Sequence, residues 1–189
     1  PLLRVDQSRP TLAADALAGN MPVERGWSRN NLGMQLNSRQ EFPANPHEVY
    51  AMVTDEAFLR HASERMGSPD ARVAASPTRT TVEASVDAPP EVRPFVGERL
   101  GIVQEVTWGE AAADGSRSGT FSIPVPGAPV TFAGTVQLAP AASGSTVEYA
   151  GDLDVKIPLI GNRIEKEAAP AILEALDAQA RVGRSWLTR

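Results

Sequence analysis

Hydrophobic and polar residues alternate along most of the chain beyond residue 33, which predicts a β-rich domain. In the first such segment Met34, Leu36 and Phe42 recur between polar residues, and a period of two is typical of a half-buried strand. Further β-rich segments are separated by turn residues, at about 70–75, 79–87, 101–110, 118–124, 130–139 and 145–157. Because the connections are short, we expect these seven strands to form a mainly antiparallel sheet.

Helical spacing predicts two short helices after the first strand and one long helix at the end of the chain. Asn45-Pro46 supplies an N-cap with proline at the first helical position, and a second helix begins near Asp55 and ends at Gly67. From about residue 160, apolar residues return every three or four positions opposite charged ones. Pro170 lies inside this stripe, which predicts a kink or a restart near Ala168.

The first part of the chain lacks any such period. Glycine, proline and asparagine are scattered through residues 1–31, so this segment is predicted to be a disordered or non-native N-terminal extension. Residues 32–189 are predicted to form one domain, and Met34 at the head of the first strand suggests that residues 1–33 lie outside its functional part. Residues 89–99 fit either a loop or a helical turn.

The order of these elements predicts an α+β fold in which a curved seven-stranded sheet wraps around the long C-terminal helix. Residues 42–59, with a proline turn into the first helix and an aspartate starting the second, resemble the opening of START-like domains, the polyketide cyclase or helix-grip (SRPBCC) superfamily. Residues 151–161, followed by Trp186-Leu187, are similar to the bacterial domain of unknown function 2505 family. The resemblance covers about residues 34–187. It implies the helix-grip fold, and the narrower family has no established activity to carry over.

Composition narrows the classes of partner. The 189 residues are 42% hydrophobic and 22% charged, which is ordinary for a globular domain. With 23 acidic and 18 basic residues the net charge is -5, and neither a basic run nor an aromatic platform is present, so we expect no nucleic acid partner. No apolar run approaches the length of a membrane span, and no secretory signal is recognisable. We therefore expect a cytoplasmic protein without an integral membrane segment; a protein partner is left unknown.

Residues with catalytic or metal-binding chemistry form no recognisable site. The chain has no cysteine, and His47 and His61 lack the spacing of a helical zinc pair. Asp152 and Asp154 share the charged side of a strand, which is typical of a solvated outer face. Serines are not framed by a nucleophile motif, and phosphate-binding glycine loops are absent. We expect no catalytic residue, no metal and no cofactor.

The apolar interior is the remaining candidate site. A sheet that curls around one helix encloses more volume than the helix fills, which favours a cavity. Gln40 and Gln104 are predicted on the inner face, where they could orient a polar group of a ligand or hold buried water. The predicted cavity-lining residues are Leu36, Gln40, Phe58, Gln104, Val106, Trp108, Phe121, Phe132, Tyr149, Leu153, Ile164, Ile172 and Leu176.

Three functions remain open from the sequence. The first is non-catalytic binding of a small hydrophobic molecule, such as a lipid, a polyketide-like compound or an isoprenoid, between the sheet and the terminal helix. The second is a cyclase- or dehydratase-like enzyme, which requires an ionisable group inside the pocket. The third is a protein-interaction module without a ligand, which a small dry core and an exposed apolar patch would favour.

Overall fold

The structure is a computed structural model. It describes residues 33–88, 90 and 93–189, without the side chains at positions 95 and 96. The predictions made for residues 1–31 lie outside the described residues. Of the stretch left open between loop and helix, Arg93–Val96 forms a short helix.

The described residues form seven strands and four helices, and the predicted α+β fold is confirmed. One antiparallel sheet contains all seven strands, in the order β1-β7-β6-β5-β4-β3-β2. It curves around α4, the C-terminal helix. The elements in chain order are β1 (Met34–Phe42), α1 (Pro46–Val53), α2 (Glu56–Arg65), β2 (Arg72–Ala75), β3 (Arg79–Asp87), α3 (Arg93–Val96), β4 (Arg99–Trp108), β5 (Arg117–Pro124), β6 (Val130–Ala141), β7 (Gly144–Val155) and α4 (Gly161–Leu187).

The two short helices begin at the caps that the sequence predicts. Asn45 and Glu48 form a capping box, in which the Glu48 N–H donates to Asn45 Oδ1 at 3.0 Å and the Asn45 N–H donates to Glu48 Oε2 at 3.1 Å. Asp55 Oδ1 accepts the N–H of Ala57 at 2.6 Å. These caps satisfy N–H groups that each helix start would otherwise leave unpaired.

The long helix α4 continues through Pro170, so the restart predicted near Ala168 does not occur. Proline removes one helical hydrogen bond, the one to the carbonyl four residues earlier. Both Pro170 and Lys166, whose carbonyl loses that partner, are exposed. Water can therefore take the place of the missing donor, and packing of the apolar stripe keeps the helix continuous.

Two buried side-chain hydrogen bonds attach α4 to the sheet. Glu165 Oε1 accepts the backbone N–H of Val155 at 3.0 Å, and Gln40 Nε2 donates to the carbonyl of Leu176 at 2.9 Å. The helix also starts close against β7, since a Cβ at Gly161 would lie 2.2 Å from the carbonyl oxygen of Val155. Position and register of the helix on β1 and β7 are thereby fixed at two points.

A pair of glycines marks the middle of the sheet's inner face. Gly134 and Gly151 are register partners in β6 and β7, and a Cβ at Gly151 would lie 2.7 Å from Cζ of Phe121. The Phe121 ring lies over the space that the missing side chains of these glycines leave. It packs against Phe132 and Tyr149, with ring centroids 4.8 and 5.4 Å away. Glycines covered by an aromatic ring are a known device for bending a sheet while keeping it filled.

Candidate functional site

A cavity of about 1150 Å³ lies between the inner face of the sheet, the C-terminal end of α2 and one side of α4. Its floor is predominantly apolar and comes from β3 to β7 and the residues that follow β5 and β7. The floor residues are Val86, Leu100, Ile102, Gln104, Ile123, Val125, Val130, Phe132, Leu153, Val155 and Ile157.

The register of the strands explains why large apolar side chains lie side by side on the floor of the cavity. Phe132 is the register partner of both Leu153 and Ile123, so one row of large apolar side chains crosses three adjacent strands. Gln104 is paired with Val82 and adds a half-buried amide to this apolar surface. Alternation along each strand turns all of these side chains inward.

The helix leaves the space above this floor unfilled because it presents small side chains to it. Ala168, Ala171, Ala175 and Ala178 return at intervals of three and four along α4, and all four line the cavity. Ile172 is a large aliphatic residue among them. Since an alanine reaches only one carbon from the backbone, the helix cannot fill the space above the floor.

Six of the residues predicted to line a cavity do line this one. They are Gln104, Phe132, Leu153, Ile164, Ile172 and Leu176. Three more, Gln40, Phe58 and Tyr149, line a separate cavity of about 20 Å³ instead. The remaining four, Leu36, Val106, Trp108 and Phe121, are buried but line neither of these two cavities. Alternation identifies the inner face, but it does not show which rows of that face the helix leaves uncovered.

Trp108 and Phe121 belong to the filled part of the interior. Trp108 is 3% exposed and makes an edge-to-face contact with Tyr50, with ring centroids 5.9 Å apart. Its indole N–H has no hydrogen-bond partner among the described residues. Phe121 occupies the space above Gly134 and Gly151, as described above. Both rings therefore serve packing in this region of the sheet.

The second cavity has room for about one water molecule. Gln40, Gln179 and Tyr149 contribute polar atoms to its lining. Burial raises the pKa of the Tyr149 hydroxyl to about 12, because the phenolate is poorly solvated there. Gln179 lines both cavities, so its amide lies at the boundary between them.

Charged residues line the large cavity where α2 ends and along the C-terminal half of α4. His61 and Arg65 are one turn apart on α2, and Arg181, Ser185 and Arg189 follow one another at intervals of four on and just beyond α4. Two carboxylates also line this side, Asp87 and Glu174. The sequence reasoning missed this cluster. The sequence contains one signal that could have indicated it. Residues 181, 185 and 189 recur at intervals of four, and they follow the row of alanines on the same helix.

His61 lines the large cavity, although it is not among the residues predicted to do so. Its Nε2 is 3.0 Å from Nη2 of Arg189, and its ring is 5.5 Å from that of Trp186. His47 is exposed on α1. No cluster of three or more potential metal ligands occurs among the residues that the structure describes.

The aspartates of β7 are on the outer side of the sheet. Asp152 is exposed, and Asp154 pairs with Lys156 at 3.3 Å. Within the described part of the chain, no helix is long and apolar enough to cross a membrane.

A curved antiparallel sheet that holds a long C-terminal helix over a cavity, with two short helices after the first strand, defines the helix-grip fold of START-like proteins. Within this class, the chain belongs to the family described as protein of unknown function DUF2505, whose profile matches residues 37–187.

Solved structures share this fold at low sequence identity. TTHA0849 from Thermus thermophilus is 17% identical, with a TM-score of 0.59 over 82% of this chain and 97% of that chain. A STAR-related lipid transfer protein from Xanthomonas axonopodis is 20% identical, with a TM-score of 0.54 over 86% and 90% of the two chains. Protein Ms6760 from Mycobacterium smegmatis is 15% identical, with a TM-score of 0.52 over 82% and 92%. The search of curated proteins found no match.

Proposed function

We propose that this protein binds a small hydrophobic molecule, such as a lipid, a polyketide-like compound or an isoprenoid, in the cavity between the sheet and α4, without catalysis. The observation that carries this proposal is the cavity itself, about 1150 Å³ with a predominantly apolar floor. Pockets for small molecules commonly enclose about 300–1,000 Å³, so this one has room for a ligand at or above the upper end of that range.

The polar groups within the cavity support binding of a mainly apolar molecule. Gln104 and Gln179 are half-buried in its lining, and neither side chain forms a hydrogen bond to another described residue. An amide that faces a cavity in this way is available to orient one polar group of a ligand. The likeness to a STAR-related lipid transfer protein agrees with a ligand of this kind.

The described lining favours binding over catalysis. Both carboxylates in it, Asp87 and Glu174, are exposed, and the imidazole of His61 already contacts the guanidinium of Arg189. General acid–base chemistry of the cyclase kind needs an ionisable group that is free to act beside the enclosed substrate. The interaction-module alternative was expected to have a small dry core, and the large cavity is the opposite of that expectation. The fully exposed large hydrophobic residue found in the described chain is Leu159, and a single residue does not form an interaction patch.

Native mass spectrometry of the purified protein, followed by denaturing extraction, tests the proposal. We expect a co-purified small molecule with a defined mass, or, from delipidated protein, saturable uptake of a neutral apolar dye such as Nile red. A clean apo mass together with no dye uptake would overturn the proposal.

A cavity-filling variant and a matched control assign any binding to this cavity. Ala168→Trp places a large side chain in the cavity from α4, and Lys166→Trp places the same side chain on the exposed side of the same helix. We expect Ala168→Trp to abolish uptake and Lys166→Trp to retain it. Equal uptake by the two variants would show that the ligand binds elsewhere.

A further inference from the structure

We infer that the ligand is an amphiphile with an anionic head group, whose apolar part occupies the cavity and whose head contacts Arg65 and Arg189. This inference rests on the proposed function and names the chemical class of its ligand. The observation behind it is that the charged side chains lining the cavity are mainly basic, whereas the chain as a whole carries a net negative charge.

Two helices bring basic side chains to the same part of the lining. His61 and Arg65 face the cavity from successive turns of α2, and Arg189 joins them from the C-terminal end of the chain through its contact with His61 at 3.0 Å. The guanidinium of Arg189 also lies 5.0 Å from the centre of the Trp186 ring, a contact that holds the cation in place. Ser185 and Arg181 continue this side of the lining one and two turns earlier on α4.

The two carboxylates that line the cavity are already paired. Glu174 accepts from Arg181 at 2.8 Å, and Asp87 pairs with Arg99 at 3.0 Å. Arg65 and Arg189 form no ion pair with any described carboxylate. The lining therefore carries two guanidinium groups without an ion-pair partner among the described side-chain carboxylates, although the chain has a net charge of -5.

Two such groups at the rim of an apolar cavity favour a ligand with complementary charge. A guanidinium binds a carboxylate or a phosphate through two parallel hydrogen bonds, and it remains charged at every physiological pH. An aliphatic chain on the floor of Phe132, Ile123 and Leu153 removes apolar surface from water, and the head group stays partly solvated beside the exposed arginines. Carboxylate and phosphate heads share this recognition chemistry.

Competitive displacement of Nile red from delipidated protein tests the inference with three probes of the same chain length: hexadecanol, palmitate and hexadecyl phosphate. We expect the two anionic probes to bind about tenfold more tightly than hexadecanol, because two partly exposed ion pairs together contribute on this scale. This preference should shrink as salt is added, because the arginines are exposed. Tighter binding of palmitate would identify a carboxylate head, and tighter binding of hexadecyl phosphate a phosphate head.

Variants assign the preference to the two arginines. R65Q/R189Q should bind all three probes with nearly equal affinity, and R65K/R189K should keep part of the preference. The matched control R39Q/R72Q removes two arginines that pair with Glu148 and Glu83 away from the cavity, and it should keep the full preference.

Each outcome decides between the inference and the function on which it rests. Equal binding of all three probes by the wild-type protein would overturn the anionic head group and leave hydrophobic binding in place. The same preference in R65Q/R189Q as in the wild type would overturn the role of these arginines. Failure of all three probes, with no uptake of the dye, would overturn the proposed function and this inference together.

Discussion

Replacing Leu153 by alanine should destabilise the protein less than the same change at Leu138. The two leucines are a matched pair, because each is 1% exposed and the two lie on adjacent strands, β7 and β6. Leu153 lines the large cavity, whereas Leu138 lines neither of the two cavities described above. The comparison therefore asks whether the space above the floor is empty in the folded protein.

The expected magnitudes follow from what each substitution removes. Three carbon atoms leave the core in both variants, a transfer cost of about 2.4 kcal/mol at about 0.8 kcal/mol per carbon. At Leu138 the vacated space is new, and each cubic ångström of residual cavity adds about 24 cal/mol, so a total of about 4 kcal/mol is expected. Leu153 borders the large cavity, so the space that its side chain vacates joins that cavity. We therefore expect about 2.5 kcal/mol, with little added for a new void.

Urea denaturation of delipidated wild-type and variant proteins measures both values, and the slope of free energy against urea should be the same in all three. A difference of about 1.5 kcal/mol between the variants is then a shift in the denaturation midpoint. Equal costs, or a larger cost at Leu153, would refute the reasoning, because they would show that the cavity is filled in the folded protein.

Two further predictions concern stability. Between pH 10 and pH 12 the unfolded chain releases the Tyr149 proton while the folded protein keeps it, because burial raises the pKa of Tyr149 to about 12. The free energy of unfolding, measured by urea titration, should therefore fall with rising pH by about 1.4 kcal/mol per pH unit. The same fall in the Tyr149→Phe variant would contradict this. Gly161→Ala should lower the melting temperature, at a cost of about 1–3 kcal/mol, because its Cβ would lie 2.2 Å from the Val155 carbonyl oxygen. Gly101→Ala has open space around the new Cβ and should be neutral or slightly stabilising; equal melting temperatures for the two alanine variants would disprove the close contact at Gly161.

The fold was predictable because its local signals agree with one another. Asn45 and Asp55 form the caps that their positions indicate, and the alternation from Met34 onward gives a strand whose inner side is buried. Pro170 did not cause the helix to restart, and a restart was one of the two outcomes that its position predicted. Its effect depends on whether the carbonyl that loses a partner is reached by water, and that depends on which side of α4 the proline occupies.

The candidate site was predictable only in part, because its position depends on long-range packing. Phe132 and Phe121 are both inward-facing aromatic residues, and only the first lines the cavity; the second covers two glycines that come together from different strands. Arg65 and Arg189 are separated by most of the domain in sequence and come together through the packing of α2 on α4. Proximity that arises from helix packing leaves no periodic pattern in the sequence.

The two buried hydrogen bonds that attach α4 to the sheet would restrict how the proposed ligand is exchanged. Swinging the helix outward would break the bond from Gln40 to the Leu176 carbonyl and the bond from Val155 to Glu165, at about 1–3 kcal/mol each for the groups left unpaired. That cost would slow exchange by roughly tenfold for every 1.4 kcal/mol. Under the proposed function we therefore expect the helix to stay in place during exchange. Uptake and release would then depend on the part of the lining where α2 ends at Arg65, which these two bonds do not hold.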